Sequence, residues 1–533
     1  MKYIFVVGGV MSGVGKGVAS ASIAKILQSR GYEVTSVKID PYVNVDAGTM
    51  NPTEHGEVFV LDDGTECDQD MGNYERFLSR SLSGLNYMTT GSIYRSVIDK
   101  ERALFYKGKC VEVVPHIPLE VIEKINRAAE KSKAEIVIVE IGGTVGEYQN
   151  ILFLEAIRML RVKNPKDVLL ALVSHLPYLN QDGELKTKPT QYAVRTLNSA
   201  GLHPDIIIAR AFVPLDKKRK EKISFNSSIE EEDVISAPDV SSIYEIPLNF
   251  EKEKISDRLL AKLSLSPKGK NLTDFKKLNQ AIKTAGQTVK IGIVGKYFGT
   301  GGFTLTDSYL SVIEAVRHAA AALHLKPSID WLDAERPGSL GKYDGLIVPG
   351  GFGERGVAGK IKTISYAREH KIPLLGLCYG MQLMVVEFAR NKAGLKKAHT
   401  TEADPGTPSP VIDLLPEQKE KMKKSDFGAT MRLGAQPAAV KKGTLAHGAY
   451  RAESISERHR HRYEVNPDYV PALEKAGLVF SATSPNRRLM EIAELPRSKH
   501  PFFLGTQFHP EFKSWPLKAH PLFVSFLKAA AKK

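Results

Sequence analysis

Cysteine is scarce. There are three in 533 residues, Cys67, Cys110 and Cys378. An odd count with no pair at metal-ligand spacing argues against a disulfide framework and a zinc site, and fits a reducing, cytoplasmic setting. Long apolar runs are missing as well. None reaches bilayer-spanning length, and the apolar opening of residues 1–7 is too short for a signal peptide and leads straight into glycines. Acidic residues are in deficit, 60 Asp and Glu against 74 Lys and Arg, for a formal net charge of +14. Such an excess suits nucleic acid or several polyphosphate ligands. The densest basic stretch, Lys217-Lys218-Arg219-Lys220-Glu221-Lys222, has no interleaved aromatics. It reads as a solvated helix face rather than an RNA-binding patch. Internal repeats and low-complexity tracts are also lacking. What remains is an ordinary globular composition, 42% hydrophobic and 25% charged, in a chain too long for one core.

The N-terminal half alternates strand and helix. Residues 3–7 form a β-branched and aromatic run, and residues 18–27 have helical spacing with Ala19, Ile23, Ile26 and Leu27 on one side. Residues 33–39, 136–141 and 168–173 read as further buried strands. The pattern weakens around 263–287, where a Ser/Pro/Lys/Gly stretch marks a boundary followed by a short polar helix. It resumes at 290–295 and continues through a helix over 307–323 and a strand over 345–348. Residues 403–425 are rich in Pro and Lys and read as a loop or insertion. The expected architecture is α/β throughout: a parallel-sheet domain over 1–265, a linker over 266–288 and a second α/β domain over 289–533.

Against this background two motifs carry chemistry. Gly376-Leu377-Cys378-Tyr379-Gly380 follows the apolar run Ile372-Pro373-Leu374-Leu375, and Gln507-Phe508-His509-Pro510-Glu511 comes later. The first reads as a buried strand turning sharply into a helix, with small residues letting the turn close and the helix N-terminus favouring a thiolate. His509 can take the thiol proton and Glu511 can orient the imidazole, which makes a nucleophilic triad. A buried cysteine alone is usually a small hydrophobe and a His-Pro-Glu alone a loop; their joint occurrence, with the elbow context, favours catalysis.

The second motif is Gly8-Gly9-Val10-Met11-Ser12-Gly13-Val14-Gly15-Lys16-Gly17, between the first strand and the first helix. Glycines there let backbone N–H groups converge on phosphate, and Lys16 adds a mobile charge. Residues Gly13, Val14, Gly15, Lys16, Gly17 and Val18 are the candidate ATP loop. It departs from a standard P-loop. Val10 stands where the first glycine belongs, and Gly17 replaces the Ser or Thr that would hold magnesium. Mg²⁺ must then find carboxylates elsewhere, and Asp70 and Glu140 are the candidates, Glu140 at the end of a buried strand.

Further motifs give the chain a resemblance to the CTP synthase family of glutamine-dependent amidoligases over essentially its whole length. They are Lys38-Ile39-Asp40-Pro41-Tyr42, Asn44-Val45-Asp46, His55-Gly56-Glu57-Val58-Phe59-Val60 and Lys186-Thr187-Lys188-Pro189-Thr190-Gln191. In the second half they are Pro349-Gly350-Gly351-Phe352-Gly353, Thr430-Met431-Arg432-Leu433-Gly434 and the run from Arg458 to Asn466. The resemblance implies a P-loop-like amidoligase domain and a flavodoxin-like class I glutamine amidotransferase domain. It implies synthesis of CTP from UTP, ATP and glutamine through a 4-phosphorylated UTP, the final step of CTP biosynthesis. By the same resemblance Asp70, Pro238, Asp239 and Val240 serve ATP. Ser12, Glu147, Tyr148, Gln149, the run Lys186 to Gln191 and Lys222 serve UTP or the inhibitor CTP. Gly351, Tyr379, Gly380, Met381, Gln382, Glu402 and Arg462 serve glutamine, with an oxyanion hole near Gly351 and Tyr379. Pro52, His55 and Val58 match an ammonia gate. A homotetramer, GTP activation near the Arg458 to Asn466 run, and no nucleic-acid or membrane partner are implied too.

Three stretches depart from the family pattern: Glu147-Tyr148-Gln149, which loses a charge at Gln149; Ala103-Leu104-Phe105-Tyr106, which is less polar; and Lys513-Ser514-Trp515-Pro516. Other readings are another ATP-dependent glutamine amidoligase, such as a cobyrinate amidating enzyme, a DNA-binding ParA-like ATPase, and an inactive filament-forming relative. The Lys186 to Gln191 run opposes the first, the Cys-His-Glu set the second, and the intact catalytic positions the third.

Overall fold

The structure is a computed structural model that describes residues 1–179, 184–269, 271–296, 299–300, 303–304, 306–414 and 431–532, with the backbone alone for 52, 53, 179, 299, 300, 303, 304 and 306. The side chain of Pro52, residue Thr430 and the 415–425 part of the expected insertion lie outside the described residues. The chain forms two compact units. The first holds Met1–Ala47 and Asp70–Asn279, the second Gly48–Gln69 and Gln280–Lys533. Segment Gly48–Gln69, early in the sequence, is therefore built into the second unit.

In the first unit seven strands run in the order Val234–Pro238, Ile206–Ala211, Val168–His175, Lys2–Gly9, Ile136–Ile141, Val34–Asp40 and Tyr87–Thr89. Every pairing is parallel. Parallel sheets are covered on both faces, so their strands are continuously apolar. In Lys2–Gly9, Ile4 and Val6 join the cluster under helices Lys16–Ser29 and Ile255–Lys262, while Phe5 and Val7 join the cluster on the opposite face. Ala19, Ile23, Ile26 and Leu27 are all buried, as the helical spacing requires. The basic stretch forms helix Lys217–Ser227, with Lys217, Lys218, Glu221 and Lys222 exposed.

The second unit has a nine-stranded sheet. Five parallel strands come first: Leu325–Asp333, Gln287–Gly295, Gly345–Val348, Leu374–Leu377 and Phe503–Thr506. Four antiparallel strands extend it, Met490–Glu494, Val479–Thr483, Arg432–Val440 and Ser454–His461. Helices Leu310–Ala322 and Pro521–Ala530 pack on one face, Val357–Glu369 and Tyr379–Asn391 on the other. The expected helix over 307–323 begins as a 3₁₀ turn, Thr306–Tyr309, and becomes α-helical only at Leu310. The expected loop over 403–425 includes a strand, Ser409–Leu414, which pairs with Tyr463–Val465. Val411 and Ile412, buried in that strand, are the apolar pair that the flanking Pro and Lys obscured. Among the described residues no helix is long and apolar enough to cross a membrane.

Candidate functional site

Three neighbouring parallel strands of the second unit deliver the catalytic candidates. Gly345–Val348 leads into Pro349-Gly350-Gly351, Leu374–Leu377 into Cys378, and Phe503–Thr506 into the segment bearing His509. The Cys378 N–H donates to the Thr506 carbonyl at 2.7 Å, fixing nucleophile and histidine strands together. Cys378 has φ 51° and ψ −104°, and helix Tyr379–Asn391 starts directly after it. A side-chain-bearing residue held there costs on the order of 1–3 kcal/mol, a strain that concentrates at functional sites. The flanking glycines are obligatory. A Cβ on Gly380 would lie 1.9 Å from the Val348 oxygen, and one on Gly376 2.4 Å from Met384 Sδ.

His509 Nδ1 donates to Glu511 Oε1 at 2.7 Å. Its Nε2 has no hydrogen-bond partner among the described residues. A Cβ placed on Gly350 would sit 3.9 Å from that Nε2, 3.1 Å from His509 Cε1 and 3.7 Å from Cys378 Cβ, so the glycine keeps open the space where thiol and imidazole converge. Burial pulls the His509 pKa down, but the Glu511 carboxylate and then Cys378 reverse this and lift it to about 10. The imidazole is set to hold a proton at neutral pH, the state that supports a neighbouring thiolate. Phe512 stacks on the imidazole at 5.0 Å.

The remaining glutamine candidates gather around the same loop. The Gly353 N–H donates to Glu402 Oε1 at 2.7 Å, and burial raises the Glu402 carboxyl pKa against the opposing pull of that bond, Lys296 and Arg462. Gln382 Nε2 donates to the Tyr463 carbonyl at 2.8 Å and to Gln507 Oε1 at 3.3 Å, while its buried Oε1 has no partner among the described residues. Tyr379 donates its hydroxyl to the Gly353 oxygen at 3.1 Å. Gly380 and Met381 lie in the first helical turn, Met381 with its side chain in the apolar cluster. Gly351, at φ 154°, lines a small cavity with Phe352, Cys378, Arg460, His509 and Glu511. Val58 lines it as well, whereas His55 does not.

Two buried lysines absent from the sequence-based candidates hold this loop. Lys360 Nζ donates to the Pro349 carbonyl at 2.9 Å, and Lys296 Nζ donates to the carbonyls of Phe352 and Gly353, the latter at 3.0 Å. Burial lowers Lys296 to about 8. Lys360 was legible in principle, because it occupies the core-facing row of its helix with Val357, Ile364 and Ala367.

In the first unit the glycine loop behaves as its composition suggests. Gly13 and Gly15 have φ of 73° and 85°, and Lys16 opens the helix. Val10, where a glycine is usual, also has φ 79°, a rare state for a β-branched residue. Lys16 Nζ donates to the Gly143 carbonyl at 2.7 Å, and burial lowers its pKa against the pull of Glu140. Asp70 and Glu140 are brought together by Lys38, whose Nζ reaches Asp70 Oδ2 at 2.7 Å and Glu140 Oε1 at 2.9 Å. Tyr74 donates to the other Glu140 oxygen. Lys38 belongs to a quoted motif but was not singled out; an ionisable residue inside the buried strand Val34–Asp40 was the available signal. Two carboxylates are the donor type Mg²⁺ prefers, so the pair fits that ion in kind, with the Lys38 ammonium between them.

A cavity of about 310 Å³ opens beside this loop, lined by Gly15, Val18, Arg210, Pro238, Asp239 and Val240 among others. The Arg210–Asp239 ion pair, at 2.9 Å, lies at its wall. The expected pyrimidine-nucleotide residues are more dispersed. Thr190 hydroxyl bonds Ser174 at 2.8 Å, and Gln191 Nε2 donates to Thr187 Oγ1 at 3.3 Å. Lys188 and Pro189 open helix Lys188–Ser199. Lys186 pairs with Glu184 at 3.0 Å, and Lys222 also acts on that carboxylate. Glu147 accepts from Thr144 and from Gln149 Nε2 at 2.7 Å, whereas Ser12 and Tyr148 are exposed.

Residues 2–265 match the family model described as CTP synthase N-terminus, and residues 304–529 that described as glutamine amidotransferase class-I. A CTP synthase of Pyrococcus furiosus is 50% identical over 536 residues, covering 99% of this chain and 98% of that one. One of Methanothermobacter thermautotrophicus is 48% identical over 537 residues, covering 100% of this chain and 99% of that one. Among solved structures, the Trypanosoma brucei CTPS glutaminase domain with bound acivicin is 37% identical, covering 46% of this chain and 94% of that one, with a TM-score of 0.41. A phosphate loop on a parallel sheet, joined to a strand-end cysteine with a histidine and carboxylate, defines a glutamine-dependent amidoligase of the class I amidotransferase type. Identity of this extent along the full length shows more: the chain belongs to the CTP synthase family.

Proposed function

We propose that the protein makes CTP from UTP, ATP and glutamine, with synthase chemistry in residues 1–265, a linker over 266–288 and glutamine hydrolysis in residues 289–533. The observation that carries this reading is the pairing of a proton-holding His509 with Cys378 at adjacent strand ends, in a chain whose other unit sets Lys16 on a glycine loop with the Asp70 carboxylate beside it.

Cys378 attacks the glutamine amide carbon. The developing oxyanion is held by backbone N–H groups at Gly351 and Tyr379, donors of a kind worth roughly 10²–10³ in rate. His509, already protonated, gives its proton to the amide nitrogen, which leaves as ammonia, and Glu511 keeps the imidazolium charge favourable. Water, giving a proton to the now neutral His509, then attacks the thioester carbon and breaks its bond to sulfur, which releases glutamate and restores Cys378. Glu402 and Arg462 suit the ammonium and carboxylate of glutamine, with Gln382 beneath them. Ammonia reaches the synthase site past His55 and Val58, with Pro52 as a further gate residue.

There ATP phosphorylates O4 of the uracil ring, ammonia attacks C4, and phosphate leaves. Lys16 and the amides of Gly13 to Val18 neutralise charge moving off ATP, with Pro238, Asp239 and Val240 at the adenine. Asp70 and Glu140 would hold Mg²⁺, which supplies charge neutralisation on the phosphates when bound. Ser12, Glu147, Tyr148, Gln149, Lys222 and the run Lys186 to Gln191 would hold UTP and the inhibitor CTP. GTP activation, a homotetramer and a cytoplasmic setting complete the proposal.

The test is the absorbance change on converting UTP to CTP with ATP and glutamine. Formation of CTP supports the reading, and its absence sinks it. Cys378→Ala should lose glutamine-dependent synthesis and keep synthesis from added ammonia; losing both would refute the two-site division.

A further inference from the structure

The edge strand Ser454–His461 meets both catalytic residues through its backbone. The carbonyl of Arg458 accepts the His509 N–H at 2.8 Å, and the carbonyl of Arg460 faces Cys378 Sγ at 3.7 Å. Residues two apart on a strand share a side, so the two arginine side chains project together. Both are held by acids of segment Gly48–Gln69. Arg458 Nε donates to Asp62 Oδ1 at 2.6 Å, and Arg460 Nε to Glu66 Oε1 at 2.7 Å. Arg460 and Glu66 are both nearly buried, so their pair is little screened by solvent, whereas Arg458 is fully buried against an Asp62 that is 36% exposed. The Arg460 guanidinium also lies 5.2 Å from the Phe352 ring, in the loop that carries one of the proposed oxyanion donors, Gly351.

The segment bearing these acids is a hairpin, Val58–Val60 paired with Glu66–Asp68. Its Phe59 packs edge-on against Phe512, whose ring also stacks on the His509 imidazole. Its Glu57 accepts the backbone N–H of Ser311 at 3.0 Å. Nothing in residues 304–529, the amidotransferase match, supplies these carboxylates. They come from the part of the sequence matched to the synthase.

We propose that Glu66 and Asp62 are positioning residues for glutamine hydrolysis: through Arg460 and Arg458 they set the strand whose carbonyls meet Cys378 and His509. The inference rests on the reading of Cys378 as the glutaminase nucleophile. Gly48 offers a probe that leaves every charge in place. A Cβ there would fall 2.2 Å from Glu66 Oε2, so an alanine must push the carboxylate off its guanidinium.

Glu66→Ala and Gly48→Ala, each in the full-length protein, are to be compared with wild type for glutamine hydrolysis, ammonia-dependent CTP synthesis and thermal midpoint. Misplacing reacting groups by a fraction of an ångström should lower kcat for glutamine hydrolysis about 10-fold. KM for glutamine and ammonia-dependent synthesis should stay at wild-type values. Unchanged kcat in both variants overturns the proposal. So does a fall in hydrolysis matched by equal losses of ammonia-dependent synthesis and of thermal midpoint, which is a folding effect. Absence of glutamine hydrolysis in the wild type instead refutes the underlying reading.

Discussion

The Asp70 carboxylate occupies the space that a side chain at position 17 would fill: a Cβ on Gly17 would lie 1.8 Å from Asp70 Oδ1 and 2.8 Å from Oδ2. In a standard phosphate loop that position carries a hydroxyl for magnesium. Here that space is filled by a carboxylate from helix Asp70–Leu78, paired with Lys38.

Gly17→Ser therefore should not restore a standard loop. It should expel Asp70 and abolish CTP formation from glutamine and from ammonia alike, while basal glutamine hydrolysis survives. Parallel assays of the three activities check this; retained ammonia-dependent synthesis would refute the assignment of Asp70.

The pH profile of glutamine hydrolysis should bend downward near pH 10, where His509 loses its proton. Since Glu511 contributes the largest upward pull on that pKa, Glu511→Gln should move the bend to lower pH. It should also cut kcat by roughly 10² or more, the usual worth of a positioned acid–base group. A bend that does not move would separate Glu511 from His509.

Gly350→Ala tests the space between nucleophile and base. The backbone there is ordinary, so the only new feature is a methyl group 3.1 Å from His509 Cε1. Glutamine hydrolysis should fall by about 10²-fold, with ammonia-dependent synthesis unaffected. An active variant would show that thiol and imidazole meet elsewhere.

Glu464 gives a stability prediction. Burial lifts its pKa from 4.5 to about 8, opposed by Arg432 at 3.5 Å. The unfolded chain thus ionises first, and this group takes stability away as pH rises from 4.5 to 8. Glu464→Gln should raise the thermal midpoint by about 2–4 °C at pH 8.5 for each kcal/mol relieved and leave it unchanged at pH 4.5. An equal shift at both values would assign the effect to packing.

The elbow and the candidate triad were legible because such chemistry needs particular residue types next to particular small ones: Cys378 between Gly376 and Gly380, His509 two residues from Glu511. The strands were legible because parallel sheets demand unbroken apolar runs. Lys38, Lys296, Lys360, Arg460 and Glu66 were not assigned, since each works through a partner distant in sequence and none sits in a motif that names its task. Strand Ser409–Leu414 was missed because local composition, Pro and Lys on either side, outweighed two buried residues.

The passage of the chain between units has a practical side. It leaves the first unit at residue 47, returns at 70 and leaves again after 279. A gene cut at the linker would strand the Asp62 and Glu66 hairpin on the wrong fragment. Swapping amidotransferase halves between relatives should succeed only when residues 48–69 travel with the half they brace, so a working chimera requires three junctions rather than one.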